Sequence, residues 1–197
     1  MKLFHSGTSP YVRKVMAVAI AAGVDGQISL VATNPHVSPA DLLAGNPLSR
    51  VPCLVTEDGL ALFDSPVICE FLDSVGGGLL FPPSGAARWR ALKQQAIGDG
   101  IMDAAVARRM EQGRPAEAAR QTLMQRYQAA VDRTLDLLEN DTPADHLDIG
   151  TIAVACALGY LDLRFADDDW RAGRPKLAAW FVTMAARPEL ARTAPPA

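Results

Sequence analysis

The sequence predicts an α/β part followed by an all-α part, and three observations carry this prediction. Up to about residue 78, short apolar segments alternate with helical patterns, in the order strand, helix, strand, then hairpin and helix. Three consecutive glycines and a Pro82-Pro83 pair then indicate a linker. No strand pattern occurs from residue 86 onward. We therefore expect a βαβ–ββα domain at 1–78, a linker at 79–85 and an all-helical domain at 86–197.

The first strand and the first helix meet at a serine. Residues 1–5 are typical of a short strand, and apolar residues at helical spacing begin at Val12. Pro10 suits the first helical turn, with Thr8 or Ser9 as the N-cap. Ser9 is thus expected beside free N–H groups and the positive helix end, where an anionic atom is stabilised. A plain helix cap without chemistry is the alternative interpretation.

The rest of the α/β part supplies a parallel crossover and a hairpin. Residues 27–31 are expected to form the second strand, parallel to the first, and a short helical turn follows near Leu42. Residues 53–56 and 61–63 flank a Glu57-Asp58-Gly59 turn, which predicts an antiparallel hairpin. Ser65 is predicted to be the N-cap of the next helix, with Pro66 at its first position.

The all-α part contains four predicted helices, at residues 88–112, 115–139, 148–164 and 175–186, followed by a polar tail. Gly98 and Gly100 are expected to interrupt the first of them. The third is apolar nearly all round, so we expect it to be buried. Asp148 and Thr151 are predicted to close a capping box at its start, and we assign both to folding, not to chemistry.

Composition excludes several classes of protein. The net charge of −3 and the pI near 5.6 argue against nucleic acid as a partner. The three cysteines and three histidines show neither a disulfide framework nor zinc-ligand spacing, so we expect no metal and three buried thiols. No signal peptide or membrane span is visible, and a reduced, cytoplasmic setting is expected.

Several motifs in this order resemble those of the cytosolic glutathione transferases, whose N-terminal domain is thioredoxin-like. The likeness covers essentially the whole chain. The motifs are Ser6-Gly7-Thr8-Ser9-Pro10-Tyr11, Asn46-Pro47-Leu48-Ser49-Arg50-Val51-Pro52, Asp64-Ser65 and Asp148-Ile149-Gly150-Thr151. Asp99-Gly100-Ile101-Met102-Asp103-Ala104 and Ala191-Arg192-Thr193 are most similar to the bacterial YibF-type branch.

The resemblance implies a glutathione site. Val51 would pair its backbone with the cysteine part of glutathione, and the bond to Pro52 would be cis. Asp64 and Ser65 would hold the γ-glutamyl group. Ser9 lies where redox relatives carry a cysteine, and its hydroxyl would donate a hydrogen bond to the glutathione thiolate, with Thr8 as the alternative. His36 or Arg50 would meet the glycine carboxylate, although both also fit plain surface roles.

The implied function is a serine-type glutathione transferase that attacks a small electrophile with the thiolate, as in detoxification. A binding module without catalysis and a glutathione-dependent reductase or peroxidase are the alternatives. The resemblance also implies a homodimer, which the apolar hairpin residues Leu60, Leu62 and Phe63 support. The second substrate would lie between Ser9 and the first helix of the all-α part. Candidates for its contacts are Met102, Asp103, Val106 and Arg109.

Overall fold

The computed structural model describes residues 1–195. Its contacts divide the chain into two compact units. One comprises Met1–Trp89 together with the segment from Pro188 onward, and the other is Arg90–Arg187. The expected fold class, an α/β part and an all-α part with a thioredoxin-like sheet, is confirmed.

The first unit is built on a four-stranded sheet of order β2-β1-β3-β4. Its strands are β1 (Lys2–His5), β2 (Ser29–Ala32), β3 (Cys53–Val55) and β4 (Ala61–Leu62). β1 and β2 are parallel, whereas β3 is antiparallel to both β1 and β4. The predicted crossover and hairpin are both confirmed. The second strand begins later than expected, because Asp25–Gln27 form a 3-10 turn instead.

The helices of the first unit are α1 (Pro10–Ala21), α2 (Ala40–Gly45) and α3 (Ser65–Val75), and a last short helix, Pro188–Ala191, returns to this unit. The expected polar tail is therefore wrong for these residues. Leu190 is fully buried, and the Arg13 guanidinium donates to its carbonyl at 3.3 Å. Arg192 forms an ion pair with Asp25 at 2.6 Å. Tertiary contacts, which local pattern does not reveal, fix this segment.

The second unit is all-helical, as expected. Its helices are α4 (Gly85–Gln112, whose first residues count with the first unit), α5 (Ala118–Asn140), α6 (Ile149–Arg164) and α7 (Pro175–Ala185), so the segment Pro188–Ala191 becomes α8. α6 is buried from Ile149 to Leu161, as its apolar pattern predicted. No helix among residues 1–195 is both long and apolar enough to span a membrane.

The interruption expected at Gly98 and Gly100 does not occur, because α4 is continuous. A Cβ added to Gly98 would lie 2.5 Å from the Ala153 carbonyl carbon and 2.8 Å from the Val154 nitrogen. A Cβ added to Gly150 of α6 would likewise lie 2.5 Å from the Gln94 Cβ and 2.7 Å from the Ala91 oxygen of α4. These glycines allow close approach of the two helices and do not act as breaks.

Candidate functional site

The register of the sheet brings the predicted site segments to one edge. Phe4 pairs with Cys53 in the antiparallel β1–β3 ladder, so the residues just before β3 lie beside those just after β1. Leu54 pairs with Leu62, which places the end of β4 at the same edge. We call the segments 6–9, 50–52 and 63–65 together the site edge. Ser9, Val51, Pro52, Asp64 and Ser65 all belong to it.

Two helices begin at the site edge, because α1 follows β1 and α3 follows β4. Their N-termini carry unpaired backbone N–H groups and partial positive charge, which favour anionic groups. In α3 the Asp64 side chain makes no capping bond, and Pro66 has no N–H. The N–H groups of Ser65 and Val67 have no acceptor among residues 1–195 and can serve a ligand.

Ser9 is the N-cap of α1, in agreement with the prediction. Its backbone is extended, at φ −76° and ψ 122°, and its Oγ accepts a hydrogen bond from the Val12 N–H at 3.3 Å. A hydroxyl that accepts one bond still has its own proton to donate. The cap therefore orients Ser9 without consuming the O–H, so capping and a contact with a ligand anion are compatible.

The Val51–Pro52 peptide bond is cis, as the resemblance implied. Pro52 is buried and Val51 is half-buried. Asn46, only 1% exposed, holds the preceding loop from inside. Its Oδ1 accepts from the Leu48 N–H at 3.0 Å, and its Nδ2 donates to the Arg50 carbonyl at 2.9 Å. Asn46 is thus a positioning residue, a role that its place in the motif 46–52 did not indicate, because its burial is not visible in the local pattern.

The start of α3 lies one residue earlier than the sequence suggested. Ser65 was expected to be the N-cap, but the helix begins at Ser65 and Asp64 occupies the cap position. Ser65 is buried at 2% exposure, whereas Asp64 is exposed. The Phe63–Asp64 peptide is also cis, which the sequence did not indicate. An exposed carboxylate thus precedes a buried serine at a helix N-terminus.

His36 and Arg50 lie on two loops that the structure joins. His36 is in the 3-10 turn Pro35–Val37 that follows β2, and Arg50 directly precedes Val51. The Ser49 hydroxyl donates to the Pro35 carbonyl at 2.9 Å and lies 3.0 Å from the Ser38 hydroxyl. Both side chains, His36 and Arg50, are exposed, and neither has a hydrogen-bond partner within residues 1–195.

The two serines of this junction were missed at the sequence level. Ser38 and Ser49 both have positive φ, at 47° and 51°, a conformation that costs a non-glycine residue about 1–3 kcal/mol. Neighbouring hydrogen bonds hold them in it. A Ser-Pro or Leu-Ser pair gives no local signal for a left-handed residue, so only the tertiary contacts could reveal them.

Cys53 is the cysteine nearest the site edge, and its setting is inert. It is fully buried in a small core with Phe4 and Leu42, and burial raises the pKa of its thiol above the ordinary value. A raised pKa disfavours the thiolate that disulfide chemistry requires. Cys69 and Cys156 are buried as well, so all three cysteines lie inside and none is in a disulfide, as predicted. Within residues 1–195 no three His, Cys, Asp or Glu side chains form a cluster suited to a metal ion.

Comparison with known proteins identifies the family of this chain. Residues 8–75 match the family model described as the glutathione S-transferase N-terminal domain, and residues 117–182 match that of the C-terminal domain. The chain is 35% identical to the uncharacterized GST-like protein YibF of Escherichia coli K12, over 100% of this chain and 99% of YibF. The chain belongs to the glutathione S-transferase family.

Two solved structures of a glutathione transferase family member from Pseudomonas fluorescens Pf-5 are similar to this chain at 40% identity. One has glutathione bound; the TM-score is 0.94, with 100% of this chain and 99% of that chain covered. The other has S-(propanoic acid)-glutathione bound, with a TM-score of 0.90 and full coverage of both chains. Both similarities extend over the two units and so include every segment of the site edge.

Proposed function

We propose that this protein is a serine-type glutathione transferase that binds glutathione at the site edge and directs its thiolate onto a small electrophile. The observation that carries the proposal is the convergence of an oriented serine hydroxyl, a free carboxylate and two helix N-termini at one edge of the sheet. These groups complement the thiolate, ammonium and carboxylate of glutathione.

Ser9 is the proposed catalytic residue. A thiol of ordinary pKa near 8.5 is mostly protonated at neutral pH, and lowering that pKa by about two units requires about 2.7 kcal/mol of preferential thiolate stabilisation. The free O–H of Ser9 and the N-terminus of α1 act together on the same atom. Ser9 does not act as a base, since its hydroxyl is far too weakly acidic; it donates a hydrogen bond.

The γ-glutamyl end carries both an ammonium and a carboxylate, and α3 offers a partner for each. The exposed carboxylate of Asp64 accepts from the ammonium, in a charge-assisted bond. The unused N–H groups of Ser65 and Val67 receive the carboxylate at the positive helix end. The backbone of Val51 pairs with the central cysteine residue, and Arg50 or His36 meets the glycine carboxylate.

Conjugation is favoured over disulfide exchange by the chemistry of the site edge. A serine occupies the N-cap of α1, and a hydroxyl cannot form a mixed disulfide. The neighbouring Cys53 is buried with a raised pKa. The relative from Pseudomonas fluorescens binds a glutathione that carries a propanoic acid group on sulfur, which is the kind of thioether a conjugation yields. This pattern disfavours a reductase acting through a protein thiol.

We also propose a cytoplasmic homodimer. Leu60 in the β3–β4 turn is 53% exposed, a large apolar side chain that a partner surface could cover. Leu62 and Phe63 are half-buried and support the dimer less than expected. Three buried cysteines without a disulfide suit a reducing compartment. Light scattering at micromolar concentration tests the dimer, and a monomer mass contradicts it.

Calorimetric titration of the purified protein with glutathione tests the proposal. Binding in the millimolar range or tighter, lost when the site edge is changed, is the expected result. Absence of binding at millimolar glutathione would contradict the enzyme and favour a binding module for another ligand. S-methylglutathione is a useful second titrant, because it keeps the γ-glutamyl and glycine contacts and removes only the ionisable thiol.

A further inference from the structure

The loop after β2 and the loop before Pro52 are joined through one serine hydroxyl. Ser49 Oγ donates to the Pro35 carbonyl at 2.9 Å and lies 3.0 Å from the Ser38 hydroxyl. A hydroxyl has one proton, and Ser49 gives it to the Pro35 carbonyl, which can only accept. The bond between the two hydroxyls therefore runs from Ser38 to Ser49. We call Pro35, Ser38 and Ser49 the serine clasp.

Each of the two loops is shaped by hydrogen bonds of its own. After β2, Asn34 Oδ1 accepts from the His36 N–H at 3.0 Å, which holds the 3-10 turn. Before Pro52, the Ser49 N–H donates to the Asn46 carbonyl at 3.0 Å. These local bonds do not set the distance between the loops, which α2 separates along the chain. The serine clasp sets that distance by direct contact.

An arginine and a histidine adjoin the serine clasp. Pro35 immediately precedes His36, and Ser49 immediately precedes Arg50. The 2.9 Å bond between Ser49 and Pro35 therefore holds the backbones of both basic residues close together. Both basic side chains are exposed, and among residues 1–195 neither has an ion-pair partner. A basic group that no carboxylate of the protein neutralises is available to a ligand anion.

We propose that Ser49 is a positioning residue that sets the place where the glycine carboxylate of glutathione is bound. This role rests on the proposed transferase function and adds a residue to its site. Ser49 does not touch the ligand. It holds the loop of His36 against the loop of Arg50, so that an imidazole and a guanidinium both reach one carboxylate. Because the loops are fixed before glutathione arrives, less conformational entropy is lost on binding.

The backbone of the serine clasp favours a role for the hydroxyls. Ser38 and Ser49 have φ of 47° and 51°, in the left-handed region that is unfavourable for residues other than glycine. Glycine would adopt this conformation without cost, but it has no hydroxyl to donate. A purely structural role is the competing explanation. It predicts that any loss of glutathione affinity follows the loss of stability.

Calorimetric titration with glutathione and with its glycine monoethyl ester tests the role of Ser49. The ester blocks the glycine carboxylate alone, and the ratio of the two dissociation constants does not depend on the fraction of protein that is folded. The wild type should bind glutathione about tenfold tighter than the ester, because the ester lacks a charge-assisted bond. In Ser49→Ala this ratio should fall to about two, with the affinity for the ester nearly unchanged. Ser38→Ala keeps the bond to Pro35 and should give an intermediate ratio.

Ser49→Gly separates the hydroxyl from the backbone. Glycine accepts a φ of 51°, so this variant should unfold at a higher temperature than Ser49→Ala, whereas its ratio should be equally low. Ser74→Ala is the matched control. Ser74 Oγ also donates to a backbone carbonyl, that of Phe71 at 2.7 Å, but near the end of α3 away from the site edge. The control should keep the wild-type ratio.

The possible results separate the role of Ser49 from the proposed function. A wild-type ratio in a folded Ser49→Ala variant overturns the role and leaves the transferase standing. A ratio that is low in Ser49→Ala but restored in the more stable Ser49→Gly also overturns it, because stability would then explain the loss. Equal binding of glutathione and ester by the wild type overturns it too, since no site for the glycine carboxylate would exist. Binding of neither compound overturns the proposed function and the role of Ser49 together.

Discussion

Asp148 and Thr151 hydrogen-bond to each other's backbone at the start of α6. The Thr151 N–H donates to Asp148 Oδ1 at 2.8 Å, and the Asp148 N–H donates to Thr151 Oγ1 at 2.9 Å. Both residues are buried, at 6% and 0% exposure. The box satisfies two backbone donors at the beginning of a helix that has no water around it, so its contribution belongs to folding.

Replacing Asp148 with alanine should therefore destabilise the protein by about 1 kcal/mol through the lost cap. Glutathione affinity should be nearly unchanged, because every proposed glutathione contact lies in the other unit. Asp148→Asn is the matched control, since asparagine caps a helix about as well as aspartate. Urea unfolding and glutathione titration of the same samples provide the check. A large loss of affinity at unchanged stability contradicts the assignment.

Gly98 and Gly100 of α4 should respond in opposite directions to substitution by alanine. A Cβ on Gly98 meets the backbone of Ala153 at 2.5 Å, so Gly98→Ala should destabilise by about 1–3 kcal/mol through overpacking. Gly100 has nothing within 4 Å of an added Cβ, and Gly100→Ala should stabilise the helix by about 0.5–1 kcal/mol. Thermal unfolding of both variants measures these changes in stability. Similar effects of the two substitutions would show that α4 and α6 are not in close contact at Gly98.

The roles of Gly98 and Gly100 could not be predicted from the sequence. Both were interpreted as helix breaks, because low propensity is the only local signal that a glycine gives. The capping box, in contrast, was predicted correctly, since its residues interact over three positions of the chain. The burial of Leu190 in α8 could not be foreseen, because α8 packs against α1, far away in sequence. Local sequence patterns predicted most of the helices and strands. Tertiary contacts account for the segments that were predicted wrongly.

Asp64 should contribute to glutathione binding and not to stability. Its carboxylate is exposed and makes no capping bond, so Asp64→Asn removes only the charge offered to the ammonium. A hydrogen bond to a charged group is worth about 1.5–3 kcal/mol, so the affinity should fall by about one to two orders of magnitude. Asp58→Asn is the control, at the turn between β3 and β4 on the opposite edge of the sheet. Unchanged glutathione affinity in Asp64→Asn removes Asp64 from the site.

Asn46 should affect the affinity for glutathione indirectly, because it holds the loop that precedes Val51. Asn46→Ala removes the bond to the Arg50 carbonyl and the bond from the Leu48 N–H, two part-buried hydrogen bonds that each contribute about 0.5–1.5 kcal/mol. Val51 then loses its fixed position, and glutathione affinity should fall together with stability. Crystal structures of the variant and the wild type would show whether the loop at 46–52 shifts. An unmoved loop with weakened binding contradicts a positioning role.

The site itself was predictable to the extent that its residues are local. Ser9 could be identified from its place before Pro10 at a helix start, and the structure confirms it as the N-cap. The N-cap of α3 was predicted at Ser65, one residue too late, because Asp64 occupies the cap position. Asn46, Ser38 and Ser49 were missed, because burial and positive φ arise from contacts between loops. The register of the sheet brings these loops together, and it likewise cannot be deduced from any single segment of the sequence.

The proposed chemistry depends most on the stabilisation of the glutathione thiolate by Ser9. In the wild type the bound thiol should have a lowered pKa, so the conjugation rate should rise with pH at a midpoint below the ordinary value near 8.5. Ser9→Ala removes the donor, and the midpoint should move up toward that value, with a lower rate at neutral pH. Some stability should be lost with the cap, about 1 kcal/mol, and glutathione affinity should be nearly unchanged. Ser9→Cys should instead form a mixed disulfide, since a thiol at a helix N-terminus has a lowered pKa.

The most direct measurement is the pH–rate profile of wild type, Ser9→Ala and Thr8→Ala with a generic aromatic electrophile, at saturating glutathione. If Ser9 stabilises the thiolate, the midpoint moves upward in Ser9→Ala and stays at the wild-type position in Thr8→Ala. A wild-type profile in Ser9→Ala would contradict the central claim: Ser9 would then be a helix cap alone, and the thiolate would depend on Thr8 or on backbone N–H groups.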